Sequence, residues 1–192
     1  MPKMNANFIK IELLKYFRFD RQFELCFTEG INKSDVNAVD IKKKCLVEVE
    51  VKISKSDFLK EFDKTSKNKT KKHTRYRNDK EYKNYIKPNY FYFCVTPELY
   101  KFVVEYLQKN GYKEYGVLVC YDKRVYGKRS CVECKLNARK LHNGFTQDVV
   151  VKAYKRLSSE IIGLKEKVLT CCKKWYKICL WRIKNETICF NS

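Results

Sequence analysis

The sequence predicts an α/β fold, a mixed central sheet with helices against it, and three observations carry that reading. Apolar residues recur at three- and four-residue spacing in some stretches and alternate in others, so helices and strands share the chain. Three short strands follow one another with tight connections between Phe23 and Ile53, the pattern of an antiparallel meander. Two near-continuous apolar runs, 90–95 and 116–121, read as strands buried on both faces, as in the parallel middle of a sheet.

Taken in order, residues 3–18 set Met4, Phe8, Ile11, Leu14 and Phe17 on one side of an amphipathic helix, with Glu12 just off that stripe. Phe23, Leu25 and Phe27 alternate with polar neighbours up to the turn at Glu29-Gly30. A second strand is expected over 35–41, a turn at Lys42-Lys43-Lys44 and a third strand over 45–53. A capped helix begins at Ser56, with Phe58, Leu59 and Phe62 as its apolar side. Residues 64–72 contain no apolar side chain and read as a solvated connection or lid, and helical character resumes over 73–85. After the strand at 90–95, Thr96-Pro97-Glu98 opens a helix with proline at its first position, and Asn110-Gly111 closes it. A strand at 116–121 and one or two more within 124–139 complete the sheet. The longest helix spans 148–168, where Val149, Ala153, Leu157, Ile161, Leu164 and Val168 keep helical spacing. The expected organisation is one domain over 1–168 and a basic, aromatic tail over 169–192.

Composition narrows the function classes. With 192 residues, 44% apolar and 15% aromatic, and only 6 Gly and 3 Pro, the chain buries a core and is not disordered as a whole. No run of 18 apolar residues and no signal-peptide core occurs, so a cytoplasmic protein with no membrane segment is expected, its 10 cysteines mostly reduced and packed as small hydrophobes. A net charge of +20 points to a polyanionic partner. Residues 1–51 hold 9 basic and 8 acidic groups, 52–87 hold 13 and 5, and 136–192 hold 12 and 4. A uniform lysine bias in the coding sequence does not account for the nearly neutral first quarter.

That quarter contains the most informative residues. Side chains alternate along a strand, so Glu48, Glu50 and Lys52 share one face while Val47, Val49 and Val51 share the core face. Asp35, at the start of the preceding strand, can meet Glu50 across the hairpin. Two carboxylates that close repel unless a cation lies between them, and oxygen ligands suit a hard divalent ion. A lysine two residues along the same face can then hold water or a phosphate, which is the equipment of phosphodiester hydrolysis. The bland alternative is a pair of solvent-facing strands with incidental Glu–Lys pairs.

The order Asp35, then Glu50-Val51-Lys52, set in a helix, three strands, a helix and a strand, resembles the PD-(D/E)xK nuclease superfamily. The segment SDVNAVDIKKKCLVEVEVKISKSDFLKEF, followed by His73, Tyr76, YFYFCV and Thr96-Pro97-Glu98, is similar to MmcB-type DNA repair proteins and phage nuclease-like relatives. The resemblance covers about residues 11–121. It implies a restriction-endonuclease-like α-β-β-β-α-β core, Mg²⁺ or Mn²⁺ held by Asp35, Glu50 and the Val51 carbonyl, and a catalytic Lys52. It also matches Glu12 to an extra acidic residue on the first helix, whose alternative is an ordinary helix carboxylate. Ser34 stands where the family has proline, and Asp40 is a rival for the motif aspartate on the opposite strand face.

Lys69, Lys71, Lys72, His73, Arg75, Tyr76 and Arg77 follow the motif directly and are expected to grip the phosphate backbone of DNA, with Tyr76 able to stack on a base. The alternative is a solvated charge run. Cys131 and Cys134 have the spacing of half a zinc site, which Cys171, Cys172, Cys179 or His142 could complete, and an iron–sulfur cluster is a remoter option. The expected function is a metal-dependent DNA nuclease or DNA-repair protein. The alternatives are a catalytically inactive nucleic-acid-binding module on the same fold and a zinc-structured interaction protein. A homodimer is left open.

Overall fold

The computed structural model describes residues 4–29, 31, 34–62, 86–143 and 145–188, with side chains as far as Cys172. The chain forms two compact units, Met1–Tyr154 and Lys155–Ser192. The first unit contains a six-stranded mixed sheet flanked by helices. Its strands are β1 (Leu25–Thr28), β2 (Val36–Asp40), β3 (Cys45–Lys52), β4 (Tyr90–Val95), β5 (Gly116–Cys120) and β6 (Val132–Leu136). They lie side by side in chain order. The β3–β4 and β4–β5 pairs are parallel and the others antiparallel. Parallel neighbours need a crossover. The one between β4 and β5 is helix α3 (Pro97–Lys109), and α2 (Lys55–Lys60) lies in the one between β3 and β4.

Two apolar layers sandwich the sheet. Helix α1 (Ala6–Lys15) brings Ile9 and Leu13 onto Val36, Ala38, Val47, Val49, Val51, Cys94 and Leu118. On the other face Phe58 of α2 and Leu99, Val103 and Leu107 of α3 pack on Phe91, Phe93, Val95, Val117 and Val119. Strand β3 is therefore covered on both sides. Its Glu48, Glu50 and Lys52 are 0%, 8% and 4% exposed, which removes the solvent-facing alternative for the charged face.

Several boundaries differ from the sequence expectation for local reasons. Helix α1 gives way at Tyr16–Asp20 to a π-helical turn, closed by Arg21 N–H donating to the Tyr16 carbonyl at 2.9 Å. The cap of α2 is Ser54 rather than Ser56, because the Ser54 hydroxyl accepts the Asp57 N–H at 3.2 Å. Residues 124–139 supply one strand, β6. The last helix, α4 (Gln147–Ile188), runs on through most of the tail. Among the described residues no helix is long and apolar enough to cross a membrane.

Candidate metal centre

The β2–β3 register pairs Val36 with Val49 and Asn37 with Glu48, so one step further places Asp35 opposite Glu50. Asp35 is fixed from two sides. Its Oδ2 accepts the Val51 N–H at 2.9 Å, and its Oδ1 meets Lys10 Nζ of α1 at 2.8 Å. Within a strand the N–H and C=O of one residue point to the same neighbour. The Val51 carbonyl therefore lies on the Asp35 side of β3, where the resemblance puts a third ligand.

Lys52 is enclosed by acids. Its ammonium donates to Glu61 Oε2, at the end of α2, at 2.8 Å and stands 3.7 Å from Glu50 Oε2. Burial alone would lower its pKa, but the charges of Glu61 and Glu50, the hydrogen bond to Glu61 and the charge of Asp57 outweigh it and hold the pKa above the ordinary lysine value. Lys52 is therefore a cation at any physiological pH. Side-chain exposure rises from Lys52 (4%) through Glu50 (10%) to Asp35 (26%), so the cluster opens to solvent at Asp35.

Among the described residues no three His, Cys, Asp or Glu side chains gather into a metal-ligating group. The donors that Asp35 and Glu50 present with the Val51 carbonyl are all hard oxygens, the chemistry Mg²⁺ and Mn²⁺ prefer. Lys10 holds one Asp35 oxygen, and a divalent ion there requires that flexible, partly exposed side chain to withdraw. On these terms the residues fit the cation.

Glu12, by contrast, is 3% exposed and turned elsewhere: Oε2 accepts the Cys131 N–H at 2.8 Å and Oε1 takes the Lys15 ammonium at 2.6 Å. Positions two apart on a helix do not face the same way. Lys10 reaches Asp35 and Glu12 therefore reaches Cys131, the residue before β6. Asp40 caps the β2–β3 turn, accepting the Lys43 N–H at 2.8 Å and pairing with its ammonium at 3.0 Å. Ser34, in the proline position, is fully buried and takes the Asn37 amide at 2.7 Å. Lys69, Lys71, Lys72, His73, Arg75, Tyr76 and Arg77 lie outside the described residues. Cys131 and Cys134 are free thiols, with burial pushing Cys131 up to about 11 and Cys134 above its ordinary value. Cys134 Sγ is spent on the Asn137 side chain at 3.2 Å.

Three residues in or next to the cluster are not legible from sequence spacing. Glu61 sits nine residues beyond Lys52 on what looks like the polar side of a short helix, and only folding of α2 over β3 brings it in. Lys10 shares a helix with Glu12, the more conspicuous candidate. Asn37 is fully buried on β2 opposite Glu48, and its Oδ1 has no hydrogen-bond partner among the described residues. A polar residue in the middle of a valine-rich strand is the available signal for it.

No family model and no curated protein matches this chain. A solved structure, a protein of unknown function from Silicibacter pomeroyi, is similar over 87% of this chain and 95% of that one, with a TM-score of 0.58 and 14% identity. At that identity the likeness is one of fold: an α/β mixed sheet with flanking helices.

Proposed function

We propose that this protein is a metal-dependent DNA nuclease or DNA-repair enzyme of the PD-(D/E)xK type that hydrolyses phosphodiester bonds. The observation that carries the reading is the convergence of Asp35, Glu50 and Lys52 at one end of the β2–β3 hairpin, on a strand whose charged face is buried. Burying three charged side chains in series costs several kcal/mol per ion unless each finds a partner. A purely structural strand would carry apolar residues there.

Mg²⁺ or Mn²⁺, when bound, supplies the charge that activates water and stabilises the phosphorus oxygens. The chain's own residues do the rest. Asp35, Glu50 and the Val51 carbonyl hold the ion, and the Val51 N–H keeps the Asp35 carboxylate in place. Lys52, kept protonated and oriented by Glu61, offers a fixed ammonium to the phosphate or the attacking water. Lys10 neutralises Asp35 in the resting state. The basic segment from Lys69 to Arg77 follows directly in sequence and is proposed to hold the DNA backbone.

One observation favours a second reading. Lys10 on Asp35 and Lys52 between Glu61 and Glu50 already balance much of the charge. A cluster so compensated also suits a DNA-binding module that has kept the fold without cleavage. The two readings separate on single-stranded, duplex, flap and junction DNA: Mg²⁺-stimulated cleavage that Lys52→Ala abolishes, with affinity nearly unchanged, supports the enzyme. Binding without cleavage of any of the four supports the module.

A further inference from the structure

At the far end of β3 from Asp35, on the α1 face, the first unit carries an open cavity of about 580 Å³, within the few hundred to a thousand Å³ typical of small-molecule sites. Five of its sixteen lining residues are aromatic: Tyr16 and Phe17 from the π-helical turn, Phe23 from the segment after it, and Tyr90 and Tyr92 from β4. The π-helical turn and the left-handed backbone of Gln22 (φ 61°) lie in the stretch that contributes Tyr16, Phe17, Arg21 and Phe23 to one space. Such irregular backbone is costly and concentrates at ligand sites. Gly116 serves the same space, since a Cβ there would press on the Tyr92 ring and come within 2.6 Å of the Ala138 nitrogen.

The charges around the cavity are uneven. Asp20 is occupied by the Arg129 N–H at 2.8 Å and the Ser130 hydroxyl at 2.6 Å, and Asp40 by Lys43. The Arg21 guanidinium makes no hydrogen bond or ion pair among the described residues, yet its charge is felt by Tyr16, Tyr92 and Cys134, from three different elements. Burial keeps both phenols protonated, with Tyr16 pushed up to about 12, so they remain hydroxyl donors. The cavity thus combines aromatic side chains, neutral donors and one uncommitted fork of N–H groups suited to an oxyanion.

We propose that this cavity binds a planar aromatic anion of mononucleotide size, its ring against the tyrosine and phenylalanine walls and its anionic group on Arg21. The ligand is either a free nucleotide or the 5′-phosphorylated end of a strand, which present the same chemistry. The site is independent of the Asp35 cluster, so binding is measured without divalent metal.

The test is titration of the full chain with dAMP, adenosine, inorganic phosphate and a 5′-phosphorylated hexanucleotide, followed by calorimetry and by amide shifts at Arg21, Gln22 and Tyr92. Saturable dAMP binding is expected, weakened about tenfold by Arg21→Gln, as loss of a charge-assisted hydrogen bond implies. Adenosine and phosphate alone should each bind more weakly than dAMP. Equal affinity for dAMP and the hexanucleotide identifies a free nucleotide as sufficient, and preference for the hexanucleotide identifies a strand end. Arg21 is exposed, so its variant should fold, and Gly116→Ala, which crowds Tyr92, is a second probe of the same walls. Absence of saturable binding by dAMP and hexanucleotide alike, or affinity indifferent to Arg21→Gln, overturns the proposal.

Discussion

Lys52 and Glu61 form an ion pair in which both side chains are almost wholly buried. Removing one partner of such a pair strands the other, at a cost of about 3–5 kcal/mol. Lys52→Ala is therefore expected to lower unfolding stability by about that much, measured by urea titration, as well as to abolish cleavage. Because the Lys52 pKa is raised on folding, the stability it contributes is complete below its ordinary value of 10.5 and is lost only as pH climbs through the higher folded value. Glu12 behaves in the opposite sense. Burial alone would raise its pKa, but hydrogen bonds from Lys15 and Cys131 outweigh that and lower it, so its contribution is present above 4.5 and disappears as pH falls through the folded value. Glu12→Gln should cost about 1–3 kcal/mol near neutrality and flatten the acid limb of the stability curve. A carboxylate bound to the Cys131 N–H and Lys15 predicts that loss of stability. A catalytic carboxylate would lose cleavage as well, which a purely structural one leaves intact.

At the scale of elements, alternation explains why the chain is so legible around β3. Valines and charged residues exchange places at every step from Val47 to Lys52, so a single strand assignment separates the valine face from the charged face that carries the candidate residues. Proline at the start of α3 and the tight hairpin around Lys42–Lys44 are equally plain, because their chemistry is local. What stays hidden depends on packing between elements. The approach of Glu61 to Lys52, the reach of Lys10 to Asp35 and the cavity between the π-helical turn and β4 have no local spacing to announce them. The cap of α2 lies between, since both Ser54 and Ser56 satisfy the pattern and only the backbone geometry selects Ser54. Ser54→Ala should destabilise the chain by about 0.5–2 kcal/mol and Ser56→Ala by much less, readable as a shift in thermal midpoint. Gly116→Ala should cost about 1–3 kcal/mol, since the Tyr92 ring occupies the space a methyl group would need.

For the whole molecule, the net charge of +20 is divided so that the first quarter, which holds Asp35 and Glu50, is nearly neutral, and the next segment is strongly basic. An acidic cluster followed in sequence by a basic segment is the charge order that the proposed metal-dependent action on a phosphate backbone calls for. Neutralising the lysines from Lys67 to Lys72 should reduce the salt dependence of DNA binding by about one unit of slope for each phosphate that the variant no longer neutralises. An unchanged slope would assign those lysines to compositional bias. The central claim is the cation site between Asp35 and Glu50, and anomalous diffraction from crystals soaked in MnCl₂ tests it most directly. The prediction is density bridging the two carboxylates beside the Val51 carbonyl, with Lys10 withdrawn from Asp35. A featureless map there, with the Lys10–Asp35 pair still closed at 2.8 Å, would contradict it.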